Sequence, residues 1–447
     1  MRVAGWILAV LFVAFCALQA ARPGIPEKAA TAEVQAPPEI RAILTKSCYS
    51  CHSDQRRLAW FDEIVPAYWL VRADILTARE HLDFSTLGGR PAAAQKSALY
   101  EGVAMIQLAA MPLPRFVRLH PAARVSAEDL ATLKAYLAPW STPLPAAGNE
   151  SREAGAQVSL TAVQPEPNGF GFDATFESWK PISTTDRGDN STFRFILGND
   201  IAVKAAEAGE LTPWPDGARL AKIAWQQELG SDGLVHPGKF IQVELMQKDA
   251  RQYKKTDGWG WGRWRGLDLQ PYGRDAHFVD ECTGCHLPVA GNDFVYTLPV
   301  STARVARDEA VNDRAAAWPA GLPWQPLGWG AITMYVDRPN HATATLYGNE
   351  TAMQAVRARH AAGGGAGSVH YPAGSVLALV TWAQREDPHW FGARIPDVPR
   401  SVEFVEFAPS PHYRRFGGAQ FAEEQVPATM AADRTSFVIE LPPAELP

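Results

Sequence analysis

Four of the chain's five cysteines fall into two copies of one motif, Cys48-Tyr-Ser-Cys51-His52 and Cys282-Thr-Gly-Cys285-His286. Cys-x-x-Cys-His reads as covalent c-type haem attachment: two thioethers hold the porphyrin and the following histidine takes the iron. Each motif thus fixes a place where the fold has to accommodate a large flat group. A redox disulfide or half of a zinc site would need only the cysteine pair. Neither explains a histidine directly after both pairs, and the one cysteine left over, Cys16, cannot complete a thiolate zinc site. Two covalently bound haems c are the expected cofactors, with His52 and His286 as iron ligands.

A chain of 447 residues with 47% hydrophobic and 20% charged residues reads as two or three globular domains. The net charge of −6 and the lack of a Lys/Arg block exclude a nucleic-acid-binding reading. Fifteen Trp suit a porphyrin's surroundings and an ordinary core equally well. At the N-terminus, Arg2 precedes an apolar run from Trp6 to Ala20, the pattern of a secretory n-region and h-region. The run is long for a signal peptide and short of the ~20 residues of a membrane span. Residues 1–21 are read as a signal peptide cleaved after Ala20 or as an uncleaved membrane anchor. Phe15 stands before Cys16 where a lipoprotein signal has a small residue, so Cys16 belongs to the apolar stretch. Both readings put the rest of the chain outside the cytoplasm, in a periplasmic compartment, where haem c attachment also occurs.

Residues 35–140 read as an all-α domain. Ile40–Ser47 leads into the first motif, and Pro66–His81 has apolar residues at helical spacing behind a helix-starting Pro. Ala92–Ala110 is a further helix, and Ser126-Ala-Glu-Asp129 opens the last one. Between them Met111-Pro-Leu-Pro114 is held out of helix by its prolines. An early Cys-x-x-Cys-His and a later Met-Pro loop give the layout of a monohaem cytochrome c with His52 and Met111 as axial ligands. Met105, His81 and His120 are rival sixth ligands. The segment also resembles the bacterial haem-binding domain family, which couples Cys-x-x-Cys-His-Ser to a later Met-Pro loop and a His-Pro, here His120-Pro121. The chain departs from that family in lacking its Trp-Tyr pair just after the motif.

Residues 141–170, rich in Pro, Gly, Ala and Glu, are read as a linker. Beyond them the pattern turns to short runs suited to strands: Phe193–Leu197, Ala218–Trp225 and Phe240–Met246. Asn199–Glu207 and Lys248–Lys255 read as short helices, giving an α+β domain with an antiparallel sheet over 171–300. Three blocks then return in the same order. Thr192 to Ala205 matches Thr345 to Ala355 around Gly198-Asn199 and Gly348-Asn349. Trp214 to Trp225 matches Tyr371 to Trp382, with Leu379 in place of Lys222, and Val243-Glu244 is paired with Val405-Glu406. A duplicated second α+β domain without a haem motif is expected over 301–447.

WPDGARLAKIAW, VELMQKDARQY, DGWGWGRW and ECTGCH, in that order, closely resemble the cytochrome P-460 family over about 172–300. The duplicate at about 325–410 resembles the same fold without the haem. The resemblance implies His286 as proximal ligand and an open distal side for a small molecule. The bare sequence agrees, since no Met-Pro loop follows His286. Hydroxylamine-oxidising members carry a Lys joined to the porphyrin edge, which falls at Lys222, a distal carboxylate, at Glu244, and an accompanying Arg, at Arg194. Burial of Glu244 between Val243 and Leu245 would raise its pKa and suit it to taking protons from the substrate. In the run from Gly258 to Trp264 the glycines could let Trp rings approach the haem, though general packing is the favoured reading. The expectation is a periplasmic dihaem protein whose second haem oxidises or binds hydroxylamine or NO while the first exchanges electrons with an external redox protein. A cytochrome c′-like carrier of NO or CO, a purely electron-transferring dihaem cytochrome, and a dihaem peroxidase remain as alternatives.

Overall fold

The computed structural model describes residues 2–27, 30–55, 57–138, 144–145, 159–300, 311–312, 318, 321–361, 369–408, 410–418 and 421–447. The chain divides into two compact units, Met1–Pro139 and Trp140–Pro447.

The first unit is helical: α1 (Arg2–Ala20), α2 (Pro38–Ser47), α3 (Tyr49–His52), α4 (Ala67–His81), α5 (Ala92–Gln107), α6 (Pro114–Leu119) and α7 (Ala127–Leu137). Ile40, Ile43 and Leu44 of α2, Tyr68 and Ile75 of α4, Tyr100 and Val103 of α5, and Leu133 and Leu137 of α7 are buried, so the amphipathic stripes supply the core. Ser126 caps α7 reciprocally: its Oγ accepts from Asp129 N and Asp129 Oδ2 accepts from Ser126 N, both at 3.0 Å. Helix α5 ends at Gln107, short of the expected Ala110, because Ala109 turns left-handed at φ +55°. The segment after α1 is stitched along α4. Pro23 O accepts from Tyr68 Oη (2.6 Å), Gly24 O from Arg72 (3.0 Å) and Pro26 O from Arg79 (2.5 Å). The large apolar side chains of α1 are exposed. Among the described residues no helix is long and apolar enough to cross a membrane.

Among the described residues the second unit is built on a 13-stranded, almost wholly antiparallel sheet. Its first half contains β1 (Leu144–Pro145), β2 (Lys180–Arg187), β3 (Thr192–Gly198), α8 (Asp200–Ala208), β4 (Arg219–Leu229), β5 (Val235–Lys248), β6 (Trp259–Arg265), β7 (Gln270–Pro271) and α9 (Phe278–His286). The second half contains β8 (Gly330–Asp337), β9 (Ala342–Gly348), α10 (Glu350–Ala361), β10 (Val376–Glu386), β11 (Ala393–Phe407), β12 (Pro411–Gly417), β13 (Ala422–Glu424) and α11 (Ala428–Glu440). The halves are joined by equivalent seams, β2 with β11 (Arg187 opposite Ala393) and β8 with β5 (Val336 opposite Val235). Irregularities recur too: the register shifts at Trp225 between β4 and β5 and at Trp382 between β10 and β11. Asn199 and Asn349 cap the following helices alike, each also accepting from the next strand and donating to Gly217 O or Gly374 O. Those two glycines sit at φ +88° and +85°.

Strand alternation sends the first half's side chains to two different faces. Phe193, Phe195, Ile223, Trp225, Val243, Leu245 and Trp264 form an apolar core on one. Ile196, Leu220, Trp259, Trp261 and Cys282 meet on the other. Part of the stretch read as linker is built into this body. Glu166, 2% exposed, accepts from the backbone N–H of Arg263, Tyr272 and Gly273, and Gln164 O accepts from Trp264 Nε1. The rest of 141–158, apart from Leu144–Pro145, lies outside the described residues. The helix expected over Lys248–Lys255 is instead the end of β5, Lys248 pairing with Trp259, and a turn in which Asp249 Oδ1 accepts from Arg251 N and Gln252 N. That side-chain bond competes with helix.

Candidate functional site

In the helical unit, α2 and α3 place Cys48, Cys51 and His52 at a helix junction. Burial pushes the Cys48 thiol up to about 12 and Cys51 to about 11, so both are protonated thiols at neutral pH. Burial lowers the His52 pKa, leaving a neutral ring. Its Nδ1 lies 2.9 Å from Leu82 O. A carbonyl only accepts, so Nδ1 carries the proton and Nε2 keeps its lone pair for a metal. Met111 lies on the loop beyond α5, 36% exposed. The next helix carries Arg115, paired with Asp74 at 2.5 Å, and both charges act on the Cys51 thiol, which sets this segment near the motif. His120 is already engaged, with Nε2 2.8 Å from Asp62 and Nδ1 3.1 Å from Phe116 O. His81 is exposed at the end of α4.

In the sheet unit, register assembles a charged strip on the face opposite the apolar core. Lys222 of β4 stands across from Glu244 of β5, and Glu244 across from Arg263 of β6. Lys222 Nζ is 2.5 Å from Glu244 Oε2, and Arg263 Nε is 3.3 Å from Oε1. Gln242 also donates to Oε1. Arg194 of β3 pairs with Ala224 and so shares that face. Burial pushes Lys222 down to about 8, with Glu244 opposing, and pushes Arg194 down to about 9. Burial alone would raise Glu244, as the sequence suggested. Lys222 and Arg263 outweigh it and hold the carboxyl down to about 2. As it stands Glu244 is a paired carboxylate and a weak base, which corrects the expected direction of its shift.

Helix α9 brings Cys282, Cys285 and His286 to this strip. The charges of Lys222, Glu244 and Arg263 act on both Cys282 and His286, and Cys285 acts on Arg194. His286 Nδ1 lies 2.7 Å from Phe294 O, which makes Nδ1 the donor and frees Nε2. Burial lowers the ring to about 4, so it is neutral. Trp261 and Tyr296 stand edge-on to it, with centroids 4.6 and 5.1 Å away. Lys248 Nζ holds Asp293 at 2.8 Å, anchoring the loop after α9 to the sheet. Asp293 and Phe294 are both left-handed, φ +46° and +63°, an unfavourable backbone for a Phe.

Against known families, residues 8–139 match the haem-binding domain and residues 173–297 match cytochrome P460. The chain joins a haem-binding domain to a cytochrome P460 domain. Haem is therefore its cofactor. No curated protein matches the chain.

The residues of the P460 domain fit a haem. Lys222 and Glu244 keep 26% and 15% of their side-chain surface although burial strongly disfavours the lysine's charge, so they line a recess. Arg194 Nε on this face and Trp261 Nε1 of the ring beside His286 are buried without a hydrogen-bond partner. Cys282 and Cys285 offer two thiols and His286 a free Nε2 beside that recess. Among the described residues no three His, Cys, Asp or Glu side chains form a group that could hold a metal ion.

Two features escaped the sequence reading. Arg263 holds Glu244 and belongs to the strip; alternation along Trp259, Trp261 and Arg263 was the available signal. That run also divides its work. Trp261 faces His286, whereas Trp264 faces the apolar core. The glycines serve that other face: a Cβ at Gly260 would meet the Tyr253 ring at 2.3 Å and the Phe170 ring at 2.6 Å.

The same strip in the second half has been rebuilt. Leu379 stands opposite Glu403, and Glu403 opposite Arg415, so Glu403 rather than Glu406 is the counterpart of Glu244. Leu379 takes the place of Lys222, and Ala344 that of Arg194. Val438 and Leu441, in and just after α11, pack on Leu379 and Leu377, and Arg434 grips Glu403 through two bonds of 2.8 and 2.9 Å.

Proposed function

We propose that this is an extracytoplasmic dihaem c-type cytochrome. One haem is held by Cys48, Cys51, His52 and Met111, and the other by Cys282, Cys285 and His286. On this reading the second haem binds and oxidises a small nitrogen compound, hydroxylamine or NO, and the first passes electrons to an external redox protein. The observation that carries the proposal is the convergence of Lys222, Glu244, Arg263 and Arg194 on the recess beside His286. An iron with an open position supplies ligand binding and one-electron chemistry. The chain supplies the proton acceptor and the fixed charges. Substrate oxidation releases protons with the electrons, and Glu244 is the carboxylate placed to take them. Its basicity depends on Lys222. Were Lys222 no longer a free ammonium, as in a lysine cross-linked to a porphyrin, Glu244 would lose its strongest opposing charge, Arg263 would remain, and the carboxyl would rise toward the range of a working base. Tethering two redox centres in one chain raises the effective concentration of the electron acceptor.

The test is a reductive titration with hydroxylamine. Haem-to-protein stoichiometry should be two, and hydroxylamine should reduce the first haem in the wild type but not in His286→Ala. Reduction that persists in the variant overturns the scheme. A second reading, a cytochrome c′-like carrier, is favoured by one observation: Glu244 held at about 2 is a poor base while Lys222 is a free ammonium. A red-shifted Soret band from a Lys222 cross-link supports the enzyme; two ordinary haem c spectra, NO binding and no turnover support the carrier.

We also read residues 325–410 as a haemless P460-like repeat, supported by the matched register shifts and Asn caps. For the N-terminal segment we propose that it stays attached to the mature chain. Cleavage after Ala20 would remove Gln19, whose side chain donates to Val65 O (3.2 Å) and accepts from Val65 N (2.9 Å). N-terminal sequencing that starts after Ala20 overturns that placement.

A further inference from the structure

The half of the sheet unit without a haem motif reaches the proximal side of the other half's site. Its β10–β11 hairpin loop carries His389 and Trp390. His389 Nδ1 is 2.7 Å from Tyr296 O, so the ring donates there. Tyr296 in turn donates from its hydroxyl to Cys285 O (2.7 Å) and stands edge-on to His286. Trp390 packs edge-on to Tyr296 at 5.5 Å. The loop is itself held from the first half: Arg187 lies 4.2 Å over the Trp390 ring, Trp390 Nε1 donates to Asp189, and Gly188 N donates to Gly392 O (2.9 Å).

We propose that His389 and Trp390 are positioning residues for the axial ligand His286. Phe294, whose carbonyl orients the His286 ring, adopts a left-handed backbone that costs energy and needs outside support. Tyr296 lies two residues on and is tied at its carbonyl, hydroxyl and ring. The loop therefore fixes the segment that sets the tautomer and tilt of the imidazole, the role that outer-shell partners play at metal sites. This gives the second half a part in the chemistry although it carries no haem motif of its own.

The inference rests on His286 being the axial ligand, and the test separates the two. Resonance Raman of the ferrous protein reads the iron–histidine stretch of a five-coordinate haem, and a redox titration reads its potential. His389→Ala should leave the haem covalently attached yet shift both signals, with the first haem's potential unmoved. His389→Asn, whose amide nitrogen can replace Nδ1 as donor, should restore them. Unshifted signals in His389→Ala, equal shifts in the Asn variant, or a shift of both haems overturn the brace. If His389→Ala does not fold, Trp390→Phe is read instead: it keeps an aromatic ring beside Tyr296 while losing the bond to Asp189 and weakening the stacking of Arg187. A smaller shift in the same direction as in a His389→Gln variant supports the proposal, and no shift overturns it. A His286→Ala control with an unaltered second-haem spectrum overturns the axial assignment itself.

Discussion

The two halves of the sheet unit share strand order, bulge positions and helix caps, yet they end in opposite chemistry. In the first, Lys222, Glu244 and Arg263 face a recess beside a Cys-x-x-Cys-His helix. In the second, the matching glutamate, Glu403, is kept, but Leu379 and Ala344 replace the lysine and arginine, and α11 covers the face. A buried carboxylate needs a counterion wherever it sits. The first half takes it from the neighbouring strand and leaves the recess polar. The second takes it from Arg434 on a helix that fills the space. One fold thus yields a site or a plug, according to which element supplies the cation.

The comparison can be broken most severely at the cysteines. Replacing Cys282 and Cys285 by Ala should lower the haem count from two to one and abolish every response to hydroxylamine, read by pyridine haemochrome and absorbance. Removing α11's charge should affect stability instead. Arg434→Met leaves Glu403, whose side chain is 4% exposed, without its main partner, and should cost about 3 kcal/mol in denaturant unfolding with the haem spectrum unchanged. An unchanged midpoint would show that Glu403 is satisfied without the helix.

The first half's glutamate should answer through its titration. Its pKa is depressed, so the pair's contribution is full above the ordinary 4.5 and is lost as pH falls towards about 2. Above about pH 8 the pair weakens because Lys222 loses its proton. In Lys222→Met, burial acts on Glu244 with less opposition, and infrared difference spectra should show its protonated carboxyl appearing at higher pH than in the wild type. An unmoved titration would mean that Arg263 alone holds the carboxylate. The smallest effects belong to the shared caps. Asn199→Ala and Asn349→Ala should each cost about 1 kcal/mol, and near-equal values would support common descent of the halves.

Much of the candidate site was readable because a Cys-x-x-Cys-His motif lies in contiguous residues. His52 and His286 could be named from spacing alone, and Lys222, Glu244 and Arg194 from the blocks that carry the family resemblance. Arg263 was passed over because it sits in a Trp-Gly run whose alternation sends successive residues to different faces. Glu406 was matched in place of Glu403 because Val-Glu-Phe occurs twice in succession, at 402–404 and 405–407, and only pairing with Leu379 chooses between them. The Glu244 shift was misjudged for a similar reason: burial is visible in its apolar neighbours, but a counterion on the next strand is not.

Local patterns in the chain locate the two Cys-x-x-Cys-His motifs, place a helical region before a sheet region, and reveal the recurring blocks of the sheet region. Those properties reside in local spacing and periodicity. Which charges face one another, the closure of the second half by α11, and the reach of His389 to Tyr296 beside His286 emerge from the folded chain alone. Strand register and helix docking join residues far apart in the chain, and no local pattern carries that information.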